Sequence, residues 1–116
     1  MTGIAECVAA LTDELVDAMP GWNVTRDPQN AVPPCVFVGF PTITAATLDG
    51  WLVEVPVHLL APAPGDLQAG GLLMDGIPQL LGATRTEAAQ PVSVEVAAGV
   101  SYPGYLVNVV RVAEGD

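Results

Sequence analysis

Few side chains in this 116-residue sequence are of the types that perform chemistry, and their spacing argues against a catalytic site. His58 is the only histidine and the chain has no CxxC motif, so the ligands of a zinc site are missing. Neither Ser93 nor Ser101 lies in a nucleophile turn that would pair it with His58. The chain contains no lysine and therefore no Walker A loop. We expect a protein that is not an enzyme and that holds neither metal nor cofactor.

Two further groups of reactive side chains have a structural interpretation. Asp13, Glu14 and Asp17 could act as an acid and base pair if one carboxyl were buried. Their spacing places them mostly opposite the apolar stripe of a helix, which favours a solvated helix face. Cys7 and Cys35 do not form the framework of a disulfide-rich domain, and we interpret both as small buried hydrophobic residues.

Aromatic residues, most of them near predicted turns, could line a ligand pocket or anchor a protein interface, namely Trp22, Phe40, Trp51, Tyr102 and Tyr105. For Phe37 and Phe40 we favour core packing, whereas core and interface positions suit the tryptophans and tyrosines equally. Pro56 cannot donate to a strand ladder, so its nitrogen should face an edge, a bulge or another subunit. The interface candidates are Trp51, Pro56, His58, Tyr102 and Tyr105.

The composition is that of a folded, acidic chain. Hydrophobic residues make up 51% of it and charged residues 14%, which excludes an acidic disordered tail. Three arginines against thirteen carboxylates give a net charge of −10, which disfavours binding to nucleic acid or anionic membranes. No signal peptide or membrane-spanning run is apparent, so we expect a soluble protein made in the cytoplasm. The apolar excess favours oligomerisation.

Two segments have helical periodicity, and the rest of the chain has the period of two that is typical of strands. The β-branched stretch Thr42–Thr47 is less decisive, and Asp49-Gly50 predicts a hairpin turn into a long strand. In that strand four aliphatic residues alternate with Glu54, Pro56 and His58. The expected helices are 4–19, capped by Thr2 and stopped by Pro20-Gly21, and a second from Asp66 that bends or restarts near Pro78 and stops at Gly82. The expected strands are 22–26, 35–40 as the central one, 51–60, 92–96 and 106–112, with loops at 83–91 and 99–104.

These elements predict one α+β domain over residues 1–116, in the order α-β-β-β-α-β-β. Alternating βαβ units are absent, which argues against a parallel sheet of the doubly wound type. A mainly antiparallel sheet with both helices packed on one face fits the order better.

The sequence resembles the small tail terminator proteins of long-tailed bacteriophages. The residues that carry the resemblance are the helix ending at 19–21 (MPG), the entry strand 33–39 (PPCVFVG), the long strand 51–60 (WLVEVPVHLL), the glycine-rich second helix and the closing run 102–109 (YPGYLVNV). The resemblance spans nearly the whole chain and has no single signature motif. The glycines and Pro78 make the second helix less regular than in that family.

The resemblance implies a structural virion protein at the joint between head and tail. Members of the family form a ring, usually hexameric, which caps the tail tube, stops its polymerisation and joins it to the head-completion proteins of the neck. It implies homo-oligomers, contacts with the tube and neck proteins, and DNA passing through an acidic channel that repels phosphate. The 42–51 hairpin and the 103–104 region are expected to contact neighbouring rings.

Three alternatives remain open from the sequence. The first is a different neck or tail-completion protein. The second is a small-molecule-binding module with Trp22, Trp51 and Tyr105 around a pocket. The third is an enzyme that uses the Asp13, Glu14 and Asp17 cluster or His58.

Overall fold

The computed structural model describes residues 3–27, 34–47, 50–61, 67–97 and 100–114. Within these ranges the chain forms two helices and six strands. They are α1 (Ile4–Ala18), β1 (Asn23–Thr25), β2 (Cys35–Val38), β3 (Thr42–Thr47), β4 (Gly50–Leu60), α2 (Leu67–Thr84), β5 (Gln90–Ala97) and β6 (Val100–Glu114).

The described strands form one sheet in the order β1-β2-β4-β6-β5, and β3 also pairs with β4. Every pair is antiparallel except β1 with β2. The predicted α+β class with a mainly antiparallel sheet is therefore confirmed. The chain has one strand more before α2 than predicted, because Thr42–Thr47 does form a strand against the first half of β4.

The core lies between the two helices and one face of the sheet, which we call the helix face. The four aliphatic residues of β4 that alternate with polar ones are buried there, as predicted from the period of two. Each buried leucine or valine contributes about 1.5–3 kcal/mol through removal of its side chain from water. The helix-face core includes Leu11 and Leu15 of α1, Val36 and Val38 of β2, Val53, Val55, Val57 and Leu59 of β4, Leu73 and Leu80 of α2, and Val107 and Val109 of β6.

Helix α1 begins at Ile4, as predicted, but the predicted Thr2 is not its N-cap. Its N-cap is Gly3, which has extended backbone and no capping side chain, and Thr2 lies outside the described residues. At the other end the Met19 N–H donates to Leu15 O over 2.9 Å, and Gly21 follows with φ of +90°, a conformation that glycine adopts without strain. The predicted stop at Pro20-Gly21 is therefore confirmed.

Helix α2 is continuous through Pro78 and ends at Thr84, so the predicted restart and the stop at Gly82 are wrong. The buried Thr84 hydroxyl donates to Leu80 O over 2.8 Å, which holds the last turn in the helix. Arg85 then adopts a left-handed φ of +57°, and the Thr86 N–H donates to Leu81 O over 3.2 Å. This is the Schellman pattern of helix ends, with arginine where glycine is usual. The predicted cap Asp66 lies outside the described residues.

Strands β2 and β3 follow one another along the same edge of β4, with one extra residue between them. Val38 pairs with Val57 and Thr42 pairs with Glu54, so three residues on one strand face two on the other. This is a β-bulge at residues 39–41. The predicted strand 35–40 is an interior strand between β1 and β4, as expected, but it ends at Val38 because the bulge begins there.

The loop predicted at residues 99–104 is wrong for residues 100–104, because β6 begins at Val100 and pairs with β5 over this length. Pro103 tolerates the strand because its backbone faces Ala61, just beyond the end of β4, where the Ala61 N–H donates to Pro103 O over 2.9 Å. Gly104 is required for close packing, since a Cβ there would lie 2.7 Å from Leu60 Cδ2. The predicted loop at 83–91 is shortened to 85–89 by the ends of α2 and β5.

Candidate interaction surface

The face of the sheet opposite the helices, which we call the outer face, is apolar and exposed at one end. Leu52 of β4 pairs with Val112 of β6, and Glu54 pairs with Val110. Leu52, Val110 and Val112 are all exposed, Val112 to 68% of its surface. These three apolar side chains and the exposed Glu54 are neighbours on this face, which makes it a candidate interaction surface.

The other end of the outer face holds a small packed cluster. Cys35 and Leu60 are buried there, and Phe37 and Val94 pack against them. Phe37 also stacks on His58, with ring centroids 5.9 Å apart and an interplanar angle of 27°. Among the described residues of β4 and β6, the exposed large aliphatic side chains of the outer face are therefore at the end that holds Leu52 and Val112.

His58, one of the predicted interface candidates, is half-buried beside this cluster. Burial lowers the pKa of His58 below its ordinary value, and a backbone hydrogen bond with Phe37 partly offsets the shift. Its Nδ1 atom is buried without a hydrogen-bond partner among the described residues. A neutral imidazole stacked on a phenylalanine is consistent with a packing role on the outer face.

Phe40 lies on the bulge and is 92% exposed, so its predicted place in the core is wrong. The extra residue at 39–41 breaks the alternation that would have aligned Phe40 with the buried positions of β2. Bulges commonly re-aim a side chain in this way at the edge of a sheet. An aromatic ring so exposed is the kind of residue that anchors protein interfaces.

The direction of the backbone groups along the sheet follows from two hydrogen bonds. Gly39 N–H donates to Pro56 O over 2.8 Å, so even-numbered residues of β4 direct their N and O atoms towards β2 and β3. The hydrogen bond from the Ala61 N–H to Pro103 O shows the same alternation on the other side of β4. There the odd-numbered residues of β4 and β6 direct their N and O atoms towards each other. The nitrogen of Pro56 consequently faces the bulge, which is one of the three positions predicted for it.

The same alternation identifies which groups of β3 remain outside the sheet. Thr42 and Thr44 pair with Glu54 and Leu52 and direct their backbone groups to β4. Ile43 and Ala45 therefore direct theirs away from the sheet, along an edge that no other described strand covers. Within 42–47 the sequence TITAAT holds neither charge nor proline.

The five predicted interface residues do not form one cluster. Pro56, His58 and Tyr102 share the outer face, whereas Trp51 and Tyr105 share the helix face. Trp51 is exposed and pairs with Ala113, while Tyr105 packs against the core opposite Leu59. Eight residues of β4 separate the two, or about 27 Å.

The predicted acidic cluster is exposed on α1, and one of its members is paired. Glu14 Oε2 lies 3.6 Å from Arg111 Nη2, which projects from the helix face of β6. Arg111 Nη1 also donates to Val110 O over 3.1 Å. Arg85 lines the same open groove, whose volume is about 300 Å³. Asp13, Glu14 and Asp17 thus lie on a solvated helix face, as favoured from the sequence.

Both cysteines are free and buried, as predicted. Burial raises the pKa of the Cys35 thiol to about 11. Burial also raises the pKa of Cys7, although nearby Arg111 opposes the shift. Each is therefore a thiol rather than a thiolate at neutral pH, and a thiol is a weak nucleophile.

The proposed aromatic pocket does not assemble among the described residues. Trp22 packs on the core, with its ring against Gly76, at the opposite end of β4 from Trp51. The groove of about 330 Å³ near the β5 edge is lined by other residues, namely Thr86, Glu87, Ala88, Gln90, Leu106 and Asn108. The sequence analysis did not identify the exposed Leu52, Val110 and Val112, although all three are at even-numbered positions, which face the outer side of the sheet. It named Phe40 as one of the aromatic residues that could anchor an interface but favoured the core for it.

In the described part of the chain, no three histidine, cysteine, aspartate or glutamate side chains group so that they could hold a metal ion. Neither described helix has the length and hydropathy of a membrane span. Comparison of the chain with models of protein families and with curated proteins gives no match.

Proposed function

We propose that this chain is a structural subunit of a bacteriophage tail that acts as the tail terminator. Copies form a ring, hexameric as in the family that the sequence resembles. The ring sits at the joint of head and tail, caps the tail tube and stops its polymerisation. It then joins the tube to the head-completion proteins of the neck.

The observation that carries the proposal is the exposed apolar end of the outer face, formed by Leu52, Val110 and Val112. A sheet with helices on one face needs a second cover for an apolar surface on the other. The long strands β4 and β6 carry this surface. Contact with further virion subunits would remove it from water.

The charge of the chain fits a ring through which DNA moves without being held. Each copy has a net charge of −10 and only three arginines, so the ring repels the phosphate backbone. Two of those arginines, Arg85 and Arg111, line one groove beside Glu14 and leave little positive charge for a DNA contact elsewhere. DNA binding of high affinity is accordingly not expected.

The proposal is tested on the purified full-length chain with the tail tube protein of the same virus. We expect sedimentation and native mass spectrometry to give a closed oligomer, alone or on the tube. We also expect shorter tubes in negative-stain images as the ratio of chain to tube protein rises. Val112→Asp should reduce capping because it places a charge on the apolar end, and Met74→Ser, at another exposed apolar position, serves as the control. A chain that stays monomeric and leaves tube length unchanged would contradict the proposal.

A further inference from the structure

The edges of the sheet are not equally protected against pairing with another chain. In β5 the odd-numbered residues direct their backbone groups outward, so the nitrogen of Pro91 faces the outer edge and offers no donor there. Strand β1 is only three residues long. Strand β3 has six residues without charge or proline, and it directs the N–H and C=O groups of Ile43 and Ala45 outward. The register of β3 against β4 shifts between Ala45 and Thr47, so the regular part of this edge is 42–45. Over these residues the edge has no charge, proline or bulge that would prevent pairing with a further strand.

The distribution of charge leaves the β3 edge open to another copy of this chain. Two copies carry −10 each and repel one another wherever carboxylates meet. Residues 28–53 hold a single charged side chain, Asp49, although 13 carboxylates are spread over the chain. The β3 edge is therefore the part of the described sheet where a second acidic copy meets the least repulsion.

Phe40 adds an anchor at the start of this edge. It is 92% exposed on the bulge, separated from Thr42 by Pro41 alone. A strand that adds to β3 would pass beside it and could bury its ring. Exposed aromatic residues next to such a contact supply much of the binding energy of an interface.

We propose that the β3 edge of one copy accepts the β5 edge of the next, so that the sheets of neighbouring copies are continuous. The inference rests on the proposed ring. A closed ring needs a heterologous contact, in which two different surfaces of each copy meet. Strand β5 is the other long edge of the sheet, and beyond Pro91 it directs the backbone groups of Ser93 outward.

Two proline substitutions test this contact without removing a bond inside the sheet. Ala45→Pro removes an outward N–H from β3, and Ser93→Pro removes one from β5. Both side chains are exposed in the single copy. We expect each variant alone to be monomeric at concentrations where the wild type forms rings. An equimolar mixture should form dimers, because the intact β5 edge of one variant can pair with the intact β3 edge of the other.

Other outcomes of the mixing experiment overturn the inference. Rings formed by Ala45→Pro would exclude the β3 edge, and rings formed by Ser93→Pro would exclude the β5 edge. Dimers of Ser93→Pro alone would indicate pairing of β3 with β3 in a two-fold contact. Far-UV circular dichroism and a thermal melt identify any variant that has unfolded.

Phe40→Ser supplies a second measurement on a variant that should fold normally, since the ring is outside the core. We expect its subunit dissociation constant to rise by roughly tenfold or more, the loss typical of an interface anchor. Met74→Ser is the matched control, because Met74 is 60% exposed but lies on α2. If the subunit dissociation constant of Phe40→Ser equals that of the wild type, Phe40 is not an anchor of the contact. If wild type forms rings and all edge variants do so too, the proposed function stands and only this contact fails.

Discussion

The close approach of β4 and β6 at Gly104 allows a stability prediction worked from single atoms. A Cβ on residue 104 would overlap the backbone oxygen of Leu59 and lie 2.7 Å from Leu60 Cδ2. The Leu60 side chain can rotate, but the Leu59 oxygen belongs to the central ladder of the sheet. Gly104→Ala therefore forces the two longest strands apart at this point.

The magnitude follows from two opposing contributions. Overpacking of a tight site costs about 1–3 kcal/mol, and a backbone atom in the contact puts this case at the upper end. Alanine recovers about 0.5–1 kcal/mol, because glycine loses more conformational freedom on folding. We expect Gly104→Ala to lower the free energy of unfolding by about 2 kcal/mol, which lowers Tm by roughly 10 °C in a domain of this size.

Urea and thermal unfolding of three alanine variants measures the effect against internal controls. At Gly76 the new Cβ would lie 2.7 Å from Trp22 Cζ2 and 3.0 Å from Leu59 Cδ2, both side-chain atoms. Gly76→Ala should therefore be less harmful than Gly104→Ala. Gly82 has no atom within 4 Å of the added Cβ, so Gly82→Ala should stabilise α2 by about 1 kcal/mol. A Gly104→Ala variant as stable as the wild type would refute the close contact between β4 and β6.

Three further predictions concern the helix end, the buried imidazole and the ion pair. Arg85→Gly should raise the free energy of unfolding by about 1 kcal/mol, because Arg85 has a φ of +57°, and Arg85→Ala, which keeps the strain, should not. Burial lowers the pKa of His58 below 6.5, so the unfolded chain binds the proton more readily and stability falls as the pH drops below 6.5. In urea melts, His58→Gln should therefore lose less free energy of unfolding than the wild type between about pH 7.5 and about pH 5. Glu14→Gln should lower the free energy of unfolding by less than about 1 kcal/mol in the same melts, because the ion pair with Arg111 is 3.6 Å long and half-exposed.

The sequence predicts the helix-face core well because its signals are local. The alternation in β4 and the stripe of α1 each depend on one element alone. The position of Phe40 depends on the pairing of two strands, since the bulge exists only relative to Val55 and Pro56. Its exposure therefore has no signature in the segment 35–40. The sequence does not reveal the start of β6 for a similar reason. Pro103 and Gly104 are residue types typical of a turn, but here they pack closely against the end of β4.

The exposed apolar end is a different case, because part of its signal was present. Leu52, Val110 and Val112 all lie at even positions of strands whose odd positions form the core. A strand that is apolar on both faces is typical of a sheet covered on both sides. The sequence alone shows that these three residues alternate with the core positions of their strands. It does not show the strand register that puts Leu52 opposite Val112.

The positions of the three prolines in the sheet explain both why the sheet stays continuous and why its β3 and β5 edges differ. Pro56 directs its nitrogen to the bulge, Pro103 to the position just beyond the end of β4, and Pro91 to the outer edge of β5. None of them breaks a bond between paired strands, which is why a sheet with three prolines remains continuous. Only Pro91 lies on an outer edge, so one long edge carries a proline and the other, β3, carries none. In the contact proposed above, the proline-free β3 edge of one copy meets the part of β5 beyond Pro91 in the next, and such head-to-tail pairing produces a ring when the rotation between copies closes.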